Sequence, residues 1–202
     1  SRNSLPLRRR PPLEERVESI KRLTPFLSVA PQITLGDLGT LSAHGFRTVI
    51  SNRPDGEGEG QPSGAAIAEA AKRSGLEFRH IPVVSGQIRD EDVTAFASAL
   101  AELKGPVLAF CRTGTRSVSL WALSEAHHLD PAAILATAGA AGYDLSALED
   151  RLRARFPNIG PMRPIGHEGE ISVAHALAFA ALGLQAQAGC PVTFSRVTQT
   201  VE

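Results

Sequence analysis

The stretch VLAFCRTGTRSVSLWALSEA, residues 107–126, contains the features that decide the fold. It begins with a short apolar run, which is typical of a strand that is buried on both faces of a sheet. The run ends in Cys111, and an amphipathic segment with helical spacing follows within a few residues. We therefore predict a strand, a tight loop that contains the cysteine, and a helix.

The same alternation of strand and helix continues through most of the chain. The predicted strands span 26–32, 46–52, 76–83 and 106–110, and the predicted helices span 34–45, 65–75, 90–105, 116–128, 131–141 and 145–155. Thr34 is the predicted N-cap of the first helix. This order predicts an α/β fold in which a central, mostly parallel sheet is flanked by helices. Active sites of such sheets lie beyond the carboxyl ends of the strands, and Cys111 falls at such an end.

The residues that follow Cys111 favour a nucleophilic role for its sulfur. A thiol becomes a nucleophile when its thiolate is stabilised, and both a helix N-terminus and nearby arginine residues do this. The backbone N–H groups of the loop are predicted to turn toward a common centre, with Gly114 permitting a positive φ. The residues predicted to bind an anion there are Arg112, Thr113, Gly114, Thr115, Arg116 and Ser117.

A buried core cysteine is the alternative interpretation of this position. Free cysteine is among the most buried residue types, and one cysteine at a strand end usually belongs to the core. A core position would not be followed at once by two arginines, three hydroxyl residues and a glycine. We therefore favour a catalytic Cys111.

Composition argues against several other classes of function. Lys plus Arg and Asp plus Glu both total 21, so no excess of charge indicates a nucleic acid or an anionic membrane as a partner. Cys111 and Cys190 lie in unrelated contexts, which fits neither a disulfide framework nor a metal site and indicates a reducing compartment. The most apolar segment, 171–184, is too short to span a bilayer. We expect a cytoplasmic protein without a metal or another cofactor.

The sequence predicts one catalytic domain with a segment on each side. Residues 1–21 are predicted to be a basic, flexible leader, because an arginine cluster lies beside prolines without an apolar region. Residues 22–156 are the predicted catalytic domain, and residues 157–202 are a predicted linker, Ala-rich helix and tail. The histidines and glutamates near 167–175 lack the spacing of a metal motif.

Several motifs resemble those of one known family. They are GFRTVISNRPDGE at 45–57, LEFRHIPVVSG at 76–86, PVLAFCRTGTRS at 106–117 and AGYDLSALEDRL at 141–152. In this order, over about residues 22–155, they resemble the phosphatase-like domain of the bacterial beta-lactamase-hydrolase-like family. The resemblance implies a cysteine-phosphatase-like architecture, related to the dual-specificity phosphatases. It also places Arg116 as a catalytic residue at the end of the loop that begins with Cys111.

The same resemblance implies partners. Members of this family stand alone or are fused to persulfide dioxygenase or sulfide:quinone oxidoreductase modules. It therefore implies that enzymes of these two kinds are partners of this chain.

The length of the cysteine loop separates two chemistries. Cysteine phosphatases have a Cys-x5-Arg loop, whereas Cys111 and Arg116 form a Cys-x4-Arg loop that resembles the smaller ring of rhodanese-type sulfurtransferases. Residues 83–89 contain no acid that could protonate a leaving oxygen, and Asp90 is predicted to cap the next helix. The expected function is therefore sulfur transfer. A Cys111 persulfide would carry sulfane sulfur from thiosulfate or glutathione persulfide to a thiophilic acceptor.

Two alternatives remain open. The same residues could form a phosphocysteine in a protein-tyrosine or dual-specificity-like phosphatase. The domain could instead be an anion-binding regulatory module of a sulfur-oxidising enzyme.

A second motif, NRPDGE at 52–57, follows a predicted strand that ends at the same edge of the sheet as Cys111. A tight turn is one interpretation, with Pro54 at its second position. The other interpretation brings Arg53, Asp55 or Glu57 to the rim of the cysteine site. Arg53 is the candidate anion-binding residue of this motif, with a structural anchor as the alternative.

Overall fold

A five-stranded sheet forms the centre of the computed structural model, which describes residues 19–156. The strands are β1 (Lys21–Arg22), β2 (Leu27–Ala30), β3 (Thr48–Ser51), β4 (Glu77–His80) and β5 (Val107–Phe110). Their order in the sheet is β1-β2-β5-β3-β4. β2, β5, β3 and β4 run parallel, and β1 pairs antiparallel with β2. The predicted α/β fold with a mostly parallel sheet is confirmed.

Helices follow the strands in the predicted order. They are α1 (Asp37–Ala43), α2 (Gly64–Arg73), α3 (Asp90–Glu102), α4 (Thr115–Glu125), α5 (Pro131–Ala140) and α6 (Glu149–Arg155), and a 3-10 turn (Ser146–Leu148) lies directly before α6. The predicted elements therefore exist, most of them with shorter ends, and α4 begins one residue earlier than predicted, at Thr115. Sequence reasoning missed β1, since two exposed residues, Lys21 and Arg22, carry no apolar alternation.

The start of α1 differs from the prediction that Thr34 caps it. The Asp37 carboxylate accepts hydrogen bonds from the backbone N–H of Thr34, at 2.7 Å, and from its hydroxyl, at 2.9 Å. The helix consequently begins at Asp37, three residues later, because this carboxylate holds residues 34–36 in a turn in front of it.

Both faces of the sheet are covered, and β5 illustrates how. Val107 and Ala109 point into a core cluster that contains residues of α3, α4, α5 and α6. Leu108 and Phe110 point into a second cluster, with residues of α1 and α2. All four residues are buried. The wholly apolar run thus arises because side chains alternate between two covered faces.

The parallel strands place four connections at one edge of the sheet. Gln32 follows β2, Asn52 follows β3, Val83 follows β4 and Cys111 follows β5. These four segments build the site described below.

The described residues cover the predicted catalytic domain, 22–156. The structure of residues 1–18 and 157–202 is not described, so the leader, the Ala-rich helix and Cys190 stay predictions. Within residues 19–156, no helix is both long enough and apolar enough to cross a membrane.

Two leucines near the start of α1 provide a matched test of the core. Leu38 is 0% exposed, whereas Leu35 is 41% exposed. Leu38→Ala should lower the free energy of unfolding by about 2–5 kcal/mol, because it removes buried apolar surface and leaves a cavity. Leu35→Ala should change it by less than about 0.5 kcal/mol. Urea denaturation measures both, and equal losses would contradict the placement of α1 against the sheet.

Candidate active site

Cys111 lies directly after the central strand β5 and is 0% exposed. Its Sγ accepts a hydrogen bond from the backbone N–H of Gly114 at 3.1 Å. Helix α4 begins one residue later, at Thr115, so the positive end of the helix dipole lies next to the sulfur. Burial alone would fit a core cysteine equally well. An N–H group that points at the sulfur indicates instead a loop that can hold negative charge.

Gly114 is needed for both its conformation and its small size. Its φ is +93°, in the left-handed region that glycine adopts at little cost. A Cβ at this position would lie 2.1 Å from the hydroxyl oxygen of Tyr143. Tyr143 therefore packs directly against the loop that begins with Cys111. Burial raises the pKa of Tyr143 above its ordinary value, and the negative charge of Cys111 adds to this rise.

Arg116 is buried in the first turn of α4 and is bound to Glu57. Its Nη1 donates to Glu57 Oε1 at 2.8 Å, and its Nη2 donates to Glu57 Oε2 at 2.8 Å. Nη1 also donates to the Val83 carbonyl oxygen at 2.7 Å. Two parallel bonds of this kind fix the plane of the guanidinium group as well as its position.

Arg116 and Glu57 each stabilise the charged form of the other. Burial alone would lower the pKa of Arg116, but its hydrogen bond to Glu57 and the negative charge of Cys111 outweigh burial and raise that pKa. The hydrogen bond from Arg116 lowers the pKa of Glu57 to about 2 against the effect of burial, and Arg53 adds to this lowering. Both groups are therefore charged at neutral pH.

Arg53 contacts Glu57 rather than the loop of Cys111. Its Nε donates to Glu57 Oε2 at 2.7 Å, and its Nη1 donates to Gln32 Oε1 at 2.8 Å. The residue is only 8% exposed. This geometry favours the structural anchor, and the anion contact of Arg53 stays a prediction.

Ser117 also has a partner away from Cys111. Its hydroxyl donates to Asn52 Oδ1 at 2.8 Å, and Asn52 Nδ2 donates to the Ile81 carbonyl oxygen at 3.1 Å. Ser117 and Asn52 are both 0% exposed. The pair ties α4 to the ends of β3 and β4. Because the hydroxyl hydrogen of Ser117 is already used, its anion-binding role stays a prediction without a contact to support it.

The remaining predicted loop residues lie on the outer side of the site. Arg112 and Thr113 are exposed, and the Thr113 and Thr115 hydroxyl oxygens lie 3.1 Å apart. The Arg112 carbonyl oxygen accepts from the backbone N–H of Gln32 at 3.3 Å, which joins the loop to the end of β2. Among the described residues, the Arg112 guanidinium has no hydrogen bond or ion pair. It is thus available to an anion that approaches from solvent.

The sequence correctly indicated the loop that begins with Cys111, but three residues that contact this loop or its helix were missed. Gln32, Asn52 and Tyr143 were not singled out, although Asn52 opens NRPDGE and Tyr143 lies in AGYDLSALEDRL. Asp90 was predicted to cap α3, which is wrong. The backbone N–H of Arg89 donates to Asp92 Oδ2 at 2.9 Å, whereas the Asp90 carboxylate binds Arg151 and Arg155.

No group of three metal-ligating side chains lies together within residues 19–156. The expectation that the protein binds no metal remains a prediction.

A central parallel strand that ends in a cysteine, followed at once by a helix with an arginine in its first turn, defines a cysteine-phosphatase-like domain. Solved structures agree with this class. A candidate phosphatase from Neisseria meningitidis has a TM-score of 0.63 and 36% identity, and the match covers 68% of this chain and 98% of that one. The PP-IP phosphatase Siw14 from S. cerevisiae has a TM-score of 0.53. That match covers 83% of this chain and 96% of that one, and at 11% identity it is a likeness of fold alone.

The particular family follows from the sequence match. The model of the phosphatase-like domain of beta-lactamase hydrolase-like protein matches residues 19–128, and the chain belongs to this family. A beta-lactamase hydrolase-like protein from Agrobacterium fabrum is 41% identical over 105 residues, which are 52% of this chain and 24% of that protein. The chain spans about a quarter of the length of the curated relatives it matches. The expected family and architecture are confirmed.

The comparisons also bear on the type of chemistry. They support an enzyme of the phosphatase-like, hydrolytic type. The phosphatase alternative thus has support that the sulfurtransferase interpretation lacks.

Replacing Gly114 with alanine should destabilise the protein. The positive φ and the contact with Tyr143 both oppose a Cβ, so we expect a loss of about 1–2 kcal/mol or more. Gly139→Ala is the matched control, because Gly139 lies inside α5 with no atom within 4 Å of its added Cβ. That change should stabilise by about 0.5–1 kcal/mol. Thermal unfolding of both variants measures the difference, and a neutral Gly114→Ala would contradict the described loop.

Glu57 should make the free energy of unfolding depend on pH in acid. Its pKa is lowered from 4.5 to about 2, so the ionised carboxylate stabilises the fold fully above about pH 4.5 and loses this effect as the pH falls to 2. The side chain is 24% exposed, and water screens part of the interaction. We expect the free energy of unfolding of the wild type to exceed that of Glu57→Gln by on the order of 1–2 kcal/mol at neutral pH.

Urea denaturation of both proteins from pH 7 downward measures this gap, which should narrow below pH 4.5. Glu59→Gln is the control, because Glu59 is an exposed residue of the same loop. A gap that stays constant down to pH 2 would contradict the ion pair.

Proposed function

We propose that this domain hydrolyses phosphate compounds through a covalent phosphocysteine on Cys111. The observation that carries the proposal is the orientation of Arg116 beside the sulfur. A guanidinium group has five N–H donors. Glu57 and Val83 use both hydrogens of Nη1 and one hydrogen of Nη2. The Nε–H and the second Nη2 hydrogen lie on one edge of the group and bind no oxygen of residues 19–156, and a hydrogen bond with Cys111 contributes to the raised pKa of Arg116.

That free edge matches a phosphoryl group. Two parallel N–H donors bind two oxygens of a phosphate at once, which a single sulfane sulfur cannot use. The charge of Cys111 acts on Arg116, so the free edge and the sulfur belong to one site. The Gly114 N–H and the N-terminus of α4 add further positive potential for a bound anion.

The proposed first step is the attack of the Cys111 thiolate on phosphorus. A sulfur–phosphorus bond forms, and the bond from phosphorus to the leaving oxygen breaks with its electron pair on that oxygen. Arg116 and the loop N–H groups stabilise the charge on the phosphoryl oxygens. In the second step water attacks phosphorus, the sulfur leaves as thiolate, and inorganic phosphate forms while a proton passes to solvent.

Sulfur transfer remains the second candidate, because Arg116 comes five positions after Cys111 rather than six. Thiosulfate also carries oxygens that the free edge of Arg116 could bind. Both reactions need the thiolate, so loss of Cys111 alone does not distinguish them.

The test compares the two reactions in the same protein. Wild-type protein should release nitrophenol and phosphate from p-nitrophenyl phosphate, and Cys111→Ser should lower this rate by at least about 10³-fold. Cys190→Ser is the matched control, and its rate should be unchanged. Thiosulfate with cyanide tests sulfur transfer in parallel.

Mass spectrometry of the Cys111 peptide after brief incubation identifies the intermediate. A phosphoryl group on the sulfur supports the proposal. An extra sulfur atom on Cys111, with thiocyanate formed and no phosphate released, would contradict it. Turnover of neither substrate would favour the anion-binding module.

A further inference from the structure

Cleavage of a phosphate ester leaves negative charge on the departing oxygen. An enzyme can neutralise this charge with a positioned acid, which contributes about 10²–10⁴-fold to the rate. Without such an acid, the reaction is fast only when the leaving group is stable as an anion. The side chains around Cys111 therefore bear on the class of substrate.

Glu57 is the carboxylate joined most directly to the site, and it cannot act as the acid. Both of its oxygens accept hydrogen bonds from Arg116, and Oε2 accepts a further one from Arg53. Its pKa of about 2, held down mainly by the hydrogen bond from Arg116, leaves it without a proton at neutral pH. Protonation would also remove the partner that orients Arg116.

The connection between β4 and α3 contributes no acid either. Residues 81–89 contain neither Asp nor Glu. Asp90 follows, but its carboxylate binds Arg151 at 2.7 Å and also binds Arg155. The hydrogen bond from Arg151 and the charge of Arg155 lower the pKa of Asp90, so it too is ionised.

Other polar groups at this edge of the sheet are already engaged. Asp55 Oδ1 accepts from the backbone N–H of Gly64 at 2.7 Å, and His80 Nε2 donates to the Arg53 carbonyl oxygen at 2.9 Å. The Tyr143 hydroxyl lies against Gly114, and burial raises its pKa, so it holds its proton more tightly than an exposed tyrosine. Glu59 is exposed to solvent. Within residues 19–156, neither Glu57, Asp55 nor Asp90 is therefore free to protonate a leaving oxygen.

We propose that the site acts on phosphoryl compounds whose leaving group departs as a stable anion, namely aryl phosphates, acyl phosphates and phosphoanhydrides. This inference rests on the proposed phosphatase function and narrows its substrates. The Cys111 thiolate displaces an aryloxide, carboxylate or phosphate anion, and the leaving oxygen takes no proton from a carboxyl group of residues 19–156. Alkyl phosphates, such as phosphoserine, leave as strongly basic alkoxides and are poor substrates.

A series of aryl phosphates tests this with the full chain. The value of kcat/KM is measured by phosphate release, from dinitrophenyl phosphate to unsubstituted phenyl phosphate. It should fall by about 10²–10⁴-fold along the series, because this is the rate contribution that a general acid would make for the poorer leaving groups. Phosphate release at similar rates along the whole series would overturn the inference and leave the phosphatase function intact. No phosphate release from any member would overturn both.

A second set of substrates tests which class of phosphoryl compound the site prefers. Acetyl phosphate, inorganic diphosphate and phenyl phosphate represent the three favoured classes, and glycerol phosphate and phosphoserine represent alkyl esters. The kcat/KM of at least one favoured class should exceed that of both alkyl esters by about 10²-fold or more. Equal rates for alkyl esters would overturn the inference.

Two variants test whether an acid has been overlooked. Glu59→Gln removes an exposed carboxylate of the β3–α2 loop, and Asp90→Asn removes the carboxylate at the start of α3. Each variant should keep the slope of the wild-type series. A variant that loses activity only with poor leaving groups would identify its carboxylate as the proton donor and overturn the inference. Far-UV circular dichroism establishes that each variant is folded. If one variant does not fold, the other still tests its own carboxylate.

Discussion

The ion pair between Arg116 and Glu57 is the interaction on which the geometry of the site depends. It joins the first turn of α4 to the loop that follows β3, and the two segments are 59 positions apart in the chain. Arg116 is buried, so loss of Glu57 would leave a charge without a partner away from water. Arg53 and Gln32 extend the network to the end of β2. This network thus joins the connections that follow β2, β3 and β5.

The same pair sets the chemistry of the site. Glu57 binds the terminal nitrogens of Arg116, and this leaves the Nε edge for a ligand. The carboxylate that orients the arginine is itself too strongly held as an anion to release or accept a proton at neutral pH. Precise placement of the cation and the exclusion of Glu57 as a proton donor therefore have one physical origin.

Much of the fold could be predicted from local patterns. The apolar run at 107–110 and the glycine-terminated helices reflect backbone and burial preferences that act over a few residues. Those preferences failed where a neighbouring element decided the outcome. β1 exists because Lys21 and Arg22 meet Val29 and Ser28 across the sheet, and α1 begins at Asp37 because its carboxylate holds Thr34.

The sequence by itself determined the alternation of elements, the position of Cys111 at a strand end and the cluster of donors behind it. It also identified the family, since four motifs occur in order. Only the tertiary structure decided the partners. Arg116 turns to Glu57, Ser117 turns to Asn52 and Tyr143 packs on Gly114. Each of these pairs joins residues on different loops or helices, and their meeting depends on how the strands are ordered in the sheet rather than on spacing along the chain.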